Sequence, residues 1–398
     1  MSPRLCVVGG KLQGTEASYL AGKAGFSTIL IDRKKNSLAS TLVDEVAVLD
    51  VLKDTAKVRR ILSDVDAVLL AIEDLAVMDA LEELCSDIGV HYLQDNSAFK
   101  VTSKKDGFTR FCDENGMKYP PIFPESKFPV IVKPVSGSGS RGVQMARDED
   151  ALKKLVPTLD KDSGYLIQEY ASGYFLSLEL LGFEGEPSPM QVTCLEFDES
   201  YGCKRVIAPC PLGDAIAEGN FSLGKKLVKG LKLTGLTDLQ TVARGESVEV
   251  IEANARLPSQ TPTAVYFSTG VNMVKDLFSL FQNGEAPKFQ PSREDAVIYQ
   301  HVQMVDHRLK VVAEHHISEA SSLRVEKGFY GLEEAITNFG EESRNLSIAT
   351  LIARDNTLEK AKEMMEAAIE QISEDYKLAI EPEKSPWGVS NIYDKINH

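Results

Sequence analysis

Tryptophan occurs once in 398 residues, at Trp387, and none of the six cysteines (Cys6, Cys85, Cys112, Cys194, Cys203 and Cys210) forms a C-x-x-C pair. Zinc-ribbon and thioredoxin-type spacings are therefore missing, and a chain this long needs no disulfide staples, so reduced cytoplasmic thiols are expected. No apolar run approaches the roughly 20 residues that span a bilayer. The start, Met-Ser-Pro-Arg, lacks a signal peptide's apolar core. Basic charge is in deficit, 44 Lys and Arg against 59 Asp and Glu, for a formal charge of −15. Such a surface repels nucleic acid and anionic membranes and directs attention to small-molecule chemistry. None of the six histidines has H-E-x-x-H or another zinc spacing; His315-His316 reads as a surface pair, and only His301, beside Tyr299, is worth following. The P-loop pattern G-x-x-x-x-G-K-[ST] is also missing. In the turn Gly9–Gly14, Lys11 stands where a dinucleotide fingerprint needs its second glycine, which argues against a dehydrogenase despite Asp32 at the end of the second strand.

What is present is a globular composition, 43% hydrophobic and 26% charged, long enough for two or three cores. Strands at 4–9, 27–32 and 66–72 alternate with helices reaching Ala24 and covering 54–63, which predicts a parallel sheet covered on both faces. This unit is expected to span 1–98. Residues 102–116 read as a helical connector. Beyond it, strands at 128–134, 165–170, 176–182, 236–243 and 247–252, with helices at 148–156, 221–231 and 272–282, predict a mainly antiparallel layer. That middle unit is placed at 99–290. The remainder, 291–398, has β-like stretches at 296–305 and 347–354. A helix at 357–376 carries Leu358, Ala361, Met365, Ala368, Ile369 and Ile372 on one stripe. The tail beyond 381 is expected to be loosely ordered.

Two segments carry chemistry. In FPVIVKPVSGSGSRGV (128–143) a strand ends in Lys133 and enters a glycine–serine loop. Backbone N–H groups around Ser138, Gly139, Ser140 and Arg141 suit phosphate oxygens, with Lys133 as a point charge. In EVIEANARLPSQTPT (249–263), Glu252, Asn254 and Arg256 recur at every second position and so share one face of an extended strand. Oxygen donors at the first two suit Mg²⁺, and Arg256 suits a transferred phosphoryl group. The helix N-terminus after Gly10, with Lys11, Leu12, Gln13 and Glu16, can receive a substrate carboxylate.

Together these segments resemble the ATP-grasp enzymes, over about residues 1–290. The resemblance implies a Rossmann-like domain (1–98), a two-part ATP-grasp core (99–290, with an ATP lid at about 119–171) and a mixed α+β C-terminal region (291–398). By that likeness ATP and Mg²⁺ are the cofactors. Lys105 and Lys133 contact phosphates, with Lys104 able to exchange with Lys105. Glu169 and the backbone of Tyr170 and Ala171 meet the adenine. Glu252 and Asn254 hold the metal, and the third ligand is Gln240, or Asp238 in its place. Relatives often have a ribose-binding Glu where this chain has Phe175–Leu176, and Glu179 substitutes if the register allows.

VVGGKLQGTEASYL (7–20) and ARLPSQTPTAVYFSTGVN (255–272) further resemble the lysine ligases of pyrrolysine biosynthesis. That likeness implies an amide bond between (3R)-3-methyl-D-ornithine and the ε-amine of L-lysine, formed through an acyl phosphate. Arg256, Ser259, Gln260, Thr261 and the Gly10–Glu16 turn would hold the acyl substrate. Glu16, Glu73 and Asp238 are alternative bases for the amine. A cytoplasmic enzyme, paired as a homodimer as related ligases often are, is expected. The alternatives are an ATP-grasp ligase or carboxylase acting on a different carboxylate, and a nucleotide-binding regulator without turnover.

Overall fold

A computed structural model describes residues 2–137, 139–140, 142–159, 164–318, 320, 322–340 and 346–396. Ser138 and Arg141 of the expected phosphate loop lie outside the described residues. The N-terminal unit is a parallel five-stranded sheet in the order Glu45–Val48, Ser27–Asp32, Arg4–Val8, Ala67–Leu70, His91–Tyr92. Its three central strands, Ser27–Asp32, Arg4–Val8 and Ala67–Leu70, are buried on both faces, as crossover connections require, while the edge strand Glu45–Val48 is largely exposed. Val7, Leu30 and Leu69 pack in the cluster that holds helix Leu12–Lys23, and Val8, Ile31 and Leu70 in the one that holds helices Thr55–Leu62 and Leu75–Ile88. The Gly9–Gly14 turn is tight because a Cβ on Gly14 would lie 1.9 Å from the Gly9 carbonyl oxygen. Asp32 accepts from the Gly10 amide (2.7 Å) and closes this turn, which gives it a structural task in place of a ribose contact.

The second sheet has 11 strands and is mainly antiparallel. It runs Ser247–Asn254, Gly235–Arg244, Tyr174–Phe183, Glu186–Phe197, Cys203–Ala208, Ala296–Val305, Leu346–Asp355, Glu334–Thr337, Arg324–Lys327. Arg308–Val311 pairs with Ala296–Val305 and, in parallel, with Ala379–Ile380. Because Cys203–Ala208 pairs with Ala296–Val305, the sheet is continuous across residue 290, where the sequence suggests a boundary. A separate three-stranded sheet, Gln144–Ala146, Val130–Pro134, Tyr165–Glu169, lies in the segment expected as the lid. The strand Glu186–Phe197 escapes sequence reading because Pro187 and Pro189 interrupt its pattern, and Pro189 stands next to a register shift. Helix Asp214–Leu231 begins earlier than expected. Helix Thr261–Thr269 starts inside the Ser-Gln-Thr-Pro-Thr segment, with Pro262 in its first turn, where a missing N–H costs nothing.

Two expectations are corrected. Cys194 and Cys210 form a disulfide, because the strand and the loop it approaches bring their Cα atoms within 5.0 Å; Cys6, Cys85, Cys112 and Cys203 are free and buried. The tail is docked rather than loose: Ile392, Tyr393 and Ile396 join the core that Ala361, Met365, Ala368 and Ile372 build on helix Leu358–Tyr376. Among the described residues no helix is long and apolar enough to cross a membrane.

Candidate active site

The lid sheet and the edge of the large sheet enclose a cleft of two adjoining hollows of about 200 Å³ each, and Lys105, Lys133, Gln168 and Glu252 line both. Strand alternation in Val130–Pro134 sends Val130 and Val132 into the lid core and Lys133 into the cleft. Lys133 is 8% exposed. Burial lowers its pKa to about 8, with Lys105 adding to the depression and Glu252 opposing it. The Lys105 ammonium donates to the Gly137 carbonyl (2.9 Å), while Lys104 meets the loop through a backbone bridge to Ser136. Two cations and the described loop residues Gly137, Gly139 and Ser140 therefore converge on one end of the cleft.

Opposite them, Asp238 stands across from Asn254 and Gln240 across from Glu252 on paired strands, with Ile251 bulged between the registers. Asp238 is 1% exposed. It accepts from Asn254 (3.1 Å), Gln240 (3.2 Å) and Arg256 (3.0 Å). Arg256 also donates to Glu73 (3.1 Å), which in turn accepts from Gln13 (3.1 Å) on the N-terminal turn. Burial opposes the charge of Arg256, but Asp238, Glu73 and Glu252 hold its pKa above the ordinary value. The peptide that presents Arg256 is pinned on both sides. Ala255 N–H donates to the Thr102 hydroxyl (3.1 Å), and Gln94 donates to the Ala255 carbonyl (2.6 Å). Neither Thr102 nor Gln94 stands out in the sequence.

The amide nitrogens of Gln240 and Asn254 are taken by Asp238, so their carbonyl oxygens remain as acceptors beside the Glu252 carboxylate. One carboxylate and two amide oxygens are a donor set that fits a hard divalent cation such as Mg²⁺. Asp238 itself is the anchor of this set, since its carboxylate is occupied by three donors.

Other expected residues fall elsewhere. Glu179 does not line the cleft; it is fully buried one strand over from Asp238, accepts from the Ser177 hydroxyl (2.7 Å) and is pushed up to about 7 by burial. Its register places Phe175 and Ser177 at the cleft wall in its stead. Glu16 is also buried, and accepts from the Thr263 amide in the first turn of helix Thr261–Thr269 (2.6 Å). It joins the N-terminal domain to that helix instead of facing a substrate. Leu12 enters the core and Lys11 is exposed. Glu169 lines the cleft, but its carboxylate accepts from the Lys127 amide (3.1 Å) and Arg244 (3.1 Å). Tyr170 commits its amide to the Pro129 carbonyl (2.9 Å), leaving its own carbonyl and Ala171 at the wall. His301 is a core residue: Thr350 lies 2.9 Å from Nδ1, and burial lowers its pKa to about 3. His315 and His316 are half-buried, stack at 4.2 Å and lie with Asp198 in a cluster whose ligand atoms are within 4.8 Å of one another.

One cleft residue lies far from both motifs. Glu314 lines the cleft and accepts from Gln260 (2.6 Å) and Ser259 (3.1 Å), with Thr261 alongside. It lies 55 residues from Ser259 in the chain, and no local pattern marks it.

Residues 102–260 match the ATP-grasp domain model. The 3-methyl-D-ornithine--L-lysine ligase of Methanosarcina mazei is 33% identical over 303 residues, covering 76% of this chain and 78% of that protein. The chain belongs to the ATP-grasp 3-methyl-D-ornithine–L-lysine ligase family. The ligase of the same name from Methanosarcina acetivorans is 32% identical, over 76% of this chain and 80% of that protein. The ATP-grasp fold is shared with a solved N5-carboxyaminoimidazole ribonucleotide synthetase (TM-score 0.70, 14% identity, 94% of this chain and 98% of that one). It is shared as well with the biotin carboxylase domain of the Hydrogenobacter thermophilus 2-oxoglutarate carboxylase (TM-score 0.69, 17% identity, 93% and 90%). Within this ATP-grasp ligase, Lys133 and the Glu252–Arg256 strand end face each other across one cleft.

Proposed function

We propose that the protein uses Mg·ATP to join the carboxylate of (3R)-3-methyl-D-ornithine to the ε-amine of L-lysine, releasing ADP and phosphate. The observation that carries this reading is the mixed charge of the cleft lining. Lys105 and Lys133 suit polyphosphate, while Arg256 and the carboxylates of Glu73 and Glu314 line the same cleft, Glu314 against the loop at Gly139. A substrate with one carboxylate and two ammonium groups fits that lining: its carboxylate meets Arg256 beside the γ-phosphate, and an ammonium group meets Glu314. The names of the Methanosarcina relatives support the same pairing of substrates.

On this reading Lys133 and Lys105 bind the ATP phosphates, and Glu252, Asn254 and Gln240 hold Mg²⁺, which would neutralise phosphate charge when bound. The acyl carboxylate attacks the γ-phosphorus, the bond to the β-phosphate oxygen breaks, and ADP leaves. Arg256 holds the transferred phosphoryl group on the acyl oxygen. The lysine amine, having lost a proton, adds to the acyl carbon and expels phosphate. Positioning and charge stabilisation supply most of the rate in such transfers. Of the three carboxylates considered as bases, Glu16 is buried against Thr263, while Asp238 and Glu73 are both paired with Arg256. Glu314, which lines the cleft and is not among those three, is a further carboxylate within the site.

Purified protein given ATP, Mg²⁺, L-lysine and D-ornithine, a simpler analogue of the acyl substrate, should release ADP together with an amide of the two amino acids. ADP release no greater than in the lysine-free blank rejects the assignment. Turnover driven by bicarbonate in place of an amino acid would assign carboxylation instead.

A further inference from the structure

The C-terminal tail reaches the opposite wall of the cleft, and buried charge holds it there. Arg205 is fully buried on strand Cys203–Ala208, paired with Glu196 (2.6 Å) and with Glu383 of the tail (2.5 Å). Lys204 pairs with the same Glu383 (2.8 Å) and donates to the Lys384 carbonyl (3.3 Å). Further on, the Arg205 guanidinium lies 3.6 Å from the centre of the Tyr393 ring, whose residue also donates its amide to Glu196 (2.7 Å). A buried guanidinium is costly unless paired, so the tail's carboxylate is part of what makes this core tolerable. The tail is therefore a fixed element, and what it places at the cleft is set by the fold.

Between these two anchors the chain crosses the hinge between lid and core. Ser390 donates to the Gly173 carbonyl (3.0 Å), and Val389 lines the cleft beside Tyr170 and Ala171. The Tyr170 hydroxyl donates to the Trp387 carbonyl, and the two rings lie 5.9 Å apart, with Tyr201 edge-on to Tyr170 at 6.4 Å. Gly388 has φ +73°, and a Cβ there would stand 3.3 Å from both Ser172 and the Tyr170 ring. Glycine thus lets the tail lie flat on the hinge. Trp387 remains 56% exposed although it is the chain's only tryptophan.

We propose that Trp387–Val389 forms the outer wall of the nucleobase end of the cleft, so that the C-terminal tail sets the affinity for adenine nucleotide. This rests on reading the cleft as the nucleotide site. The tail acts by closing and positioning the hinge, away from the reacting phosphate.

The test uses the full chain. Equilibrium dialysis gives the affinity of the wild type for MgADP, and the emission of Trp387 is followed in a parallel titration. The proposal expects a saturable emission change with the same midpoint. It also expects Trp387→Ala and Gly388→Val to weaken MgADP by about two- to tenfold, the scale of one lost aromatic contact, with KM for the amino-acid substrates unchanged. Trp387 is largely exposed, so its alanine variant keeps the test open if Gly388→Val fails to fold. Wild-type affinity for MgADP in Trp387→Ala, with no response of Trp387 in the parent, overturns the tail's role. A wild type that binds no MgADP by dialysis overturns the nucleotide reading itself.

Discussion

Asp238 and Asn254 face each other across neighbouring antiparallel strands, and the Asp238 carboxylate accepts the Asn254 side-chain amide at 3.1 Å. The same carboxylate takes Gln240 and Arg256, so one buried anion fixes two amide oxygens and a guanidinium at once. Asp238→Asn keeps the shape but removes the charge that Arg256 pairs with and forces two amides to compete for one weaker acceptor. Turnover should fall on the order of 100-fold, the scale of losing one oriented charge-stabilising donor, with KM for ATP little changed because Lys105 and Lys133 are untouched. Steady-state ADP release decides this, and wild-type turnover in the variant would show that Asp238 has no positioning role.

Glu252 is the one carboxylate in the proposed metal set. Glu252→Ala should depress turnover and raise the Mg²⁺ concentration needed for half-maximal rate, because two neutral amide oxygens hold a hard cation poorly. Chelating the metal with excess EDTA should stop the wild type. A variant that turns over normally at ordinary Mg²⁺ would place the metal elsewhere.

Lys133 links the phosphate end to pH. Burial brings its pKa to about 8 from an ordinary 10.5, so the free protein loses this charge as pH rises through 8. Phosphate binds the ammonium form, and ATP affinity should therefore fall by up to about tenfold per pH unit above that value. Calorimetric titrations from pH 7 to 9.5 should show the slope in the wild type and its loss in Lys133→Met. Stability moves the other way. Between about pH 8 and 10.5 the unfolded chain keeps a proton that the native state has released, so the unliganded wild type gains stability with rising pH relative to Lys133→Met.

The legible parts of this protein were those where backbone pattern and chemistry coincide. A strand ending in Lys133 before a glycine loop, and Glu252, Asn254 and Arg256 at period two, are local features. Their side-chain directions follow from strand geometry alone. Glu314 was invisible because its place depends on the pairing of Ala296–Val305 with Cys203–Ala208, a contact between segments almost a hundred residues apart. Glu179 is misplaced for a related reason: its face of the strand is right, but two residues along a strand are some 7 Å, which carries it past the cleft to a site beside Asp238 on the neighbouring strand. The tail misled because polar, Pro- and Lys-bearing composition describes how a segment meets water. It does not report that a buried Arg205 needs Glu383.

Glu16 is where the reassignment can be checked by stability. Its carboxyl is buried against the Thr263 amide, and burial pushes its pKa up to about 8 from an ordinary 4.5. The native state then holds a proton through a range in which the unfolded chain has released it. Glu16 alone should lower stability as pH rises from about 4.5 to 8, by roughly 3–5 kcal/mol across the window. Glu16→Gln keeps a carbonyl oxygen for the Thr263 amide and carries no charge, so it should lose this share of the slope and keep the fall that Glu179, pushed up to about 7, contributes. The variant should match the wild type near pH 4.5 and exceed it at pH 8, as read from urea midpoints at several pH values. Parallel profiles would mean that the carboxylate is solvated, as a substrate-facing residue would be. A shallower profile than the wild type, together with near-normal turnover at pH 7, would fix Glu16 as the joint between the N-terminal domain and helix Thr261–Thr269.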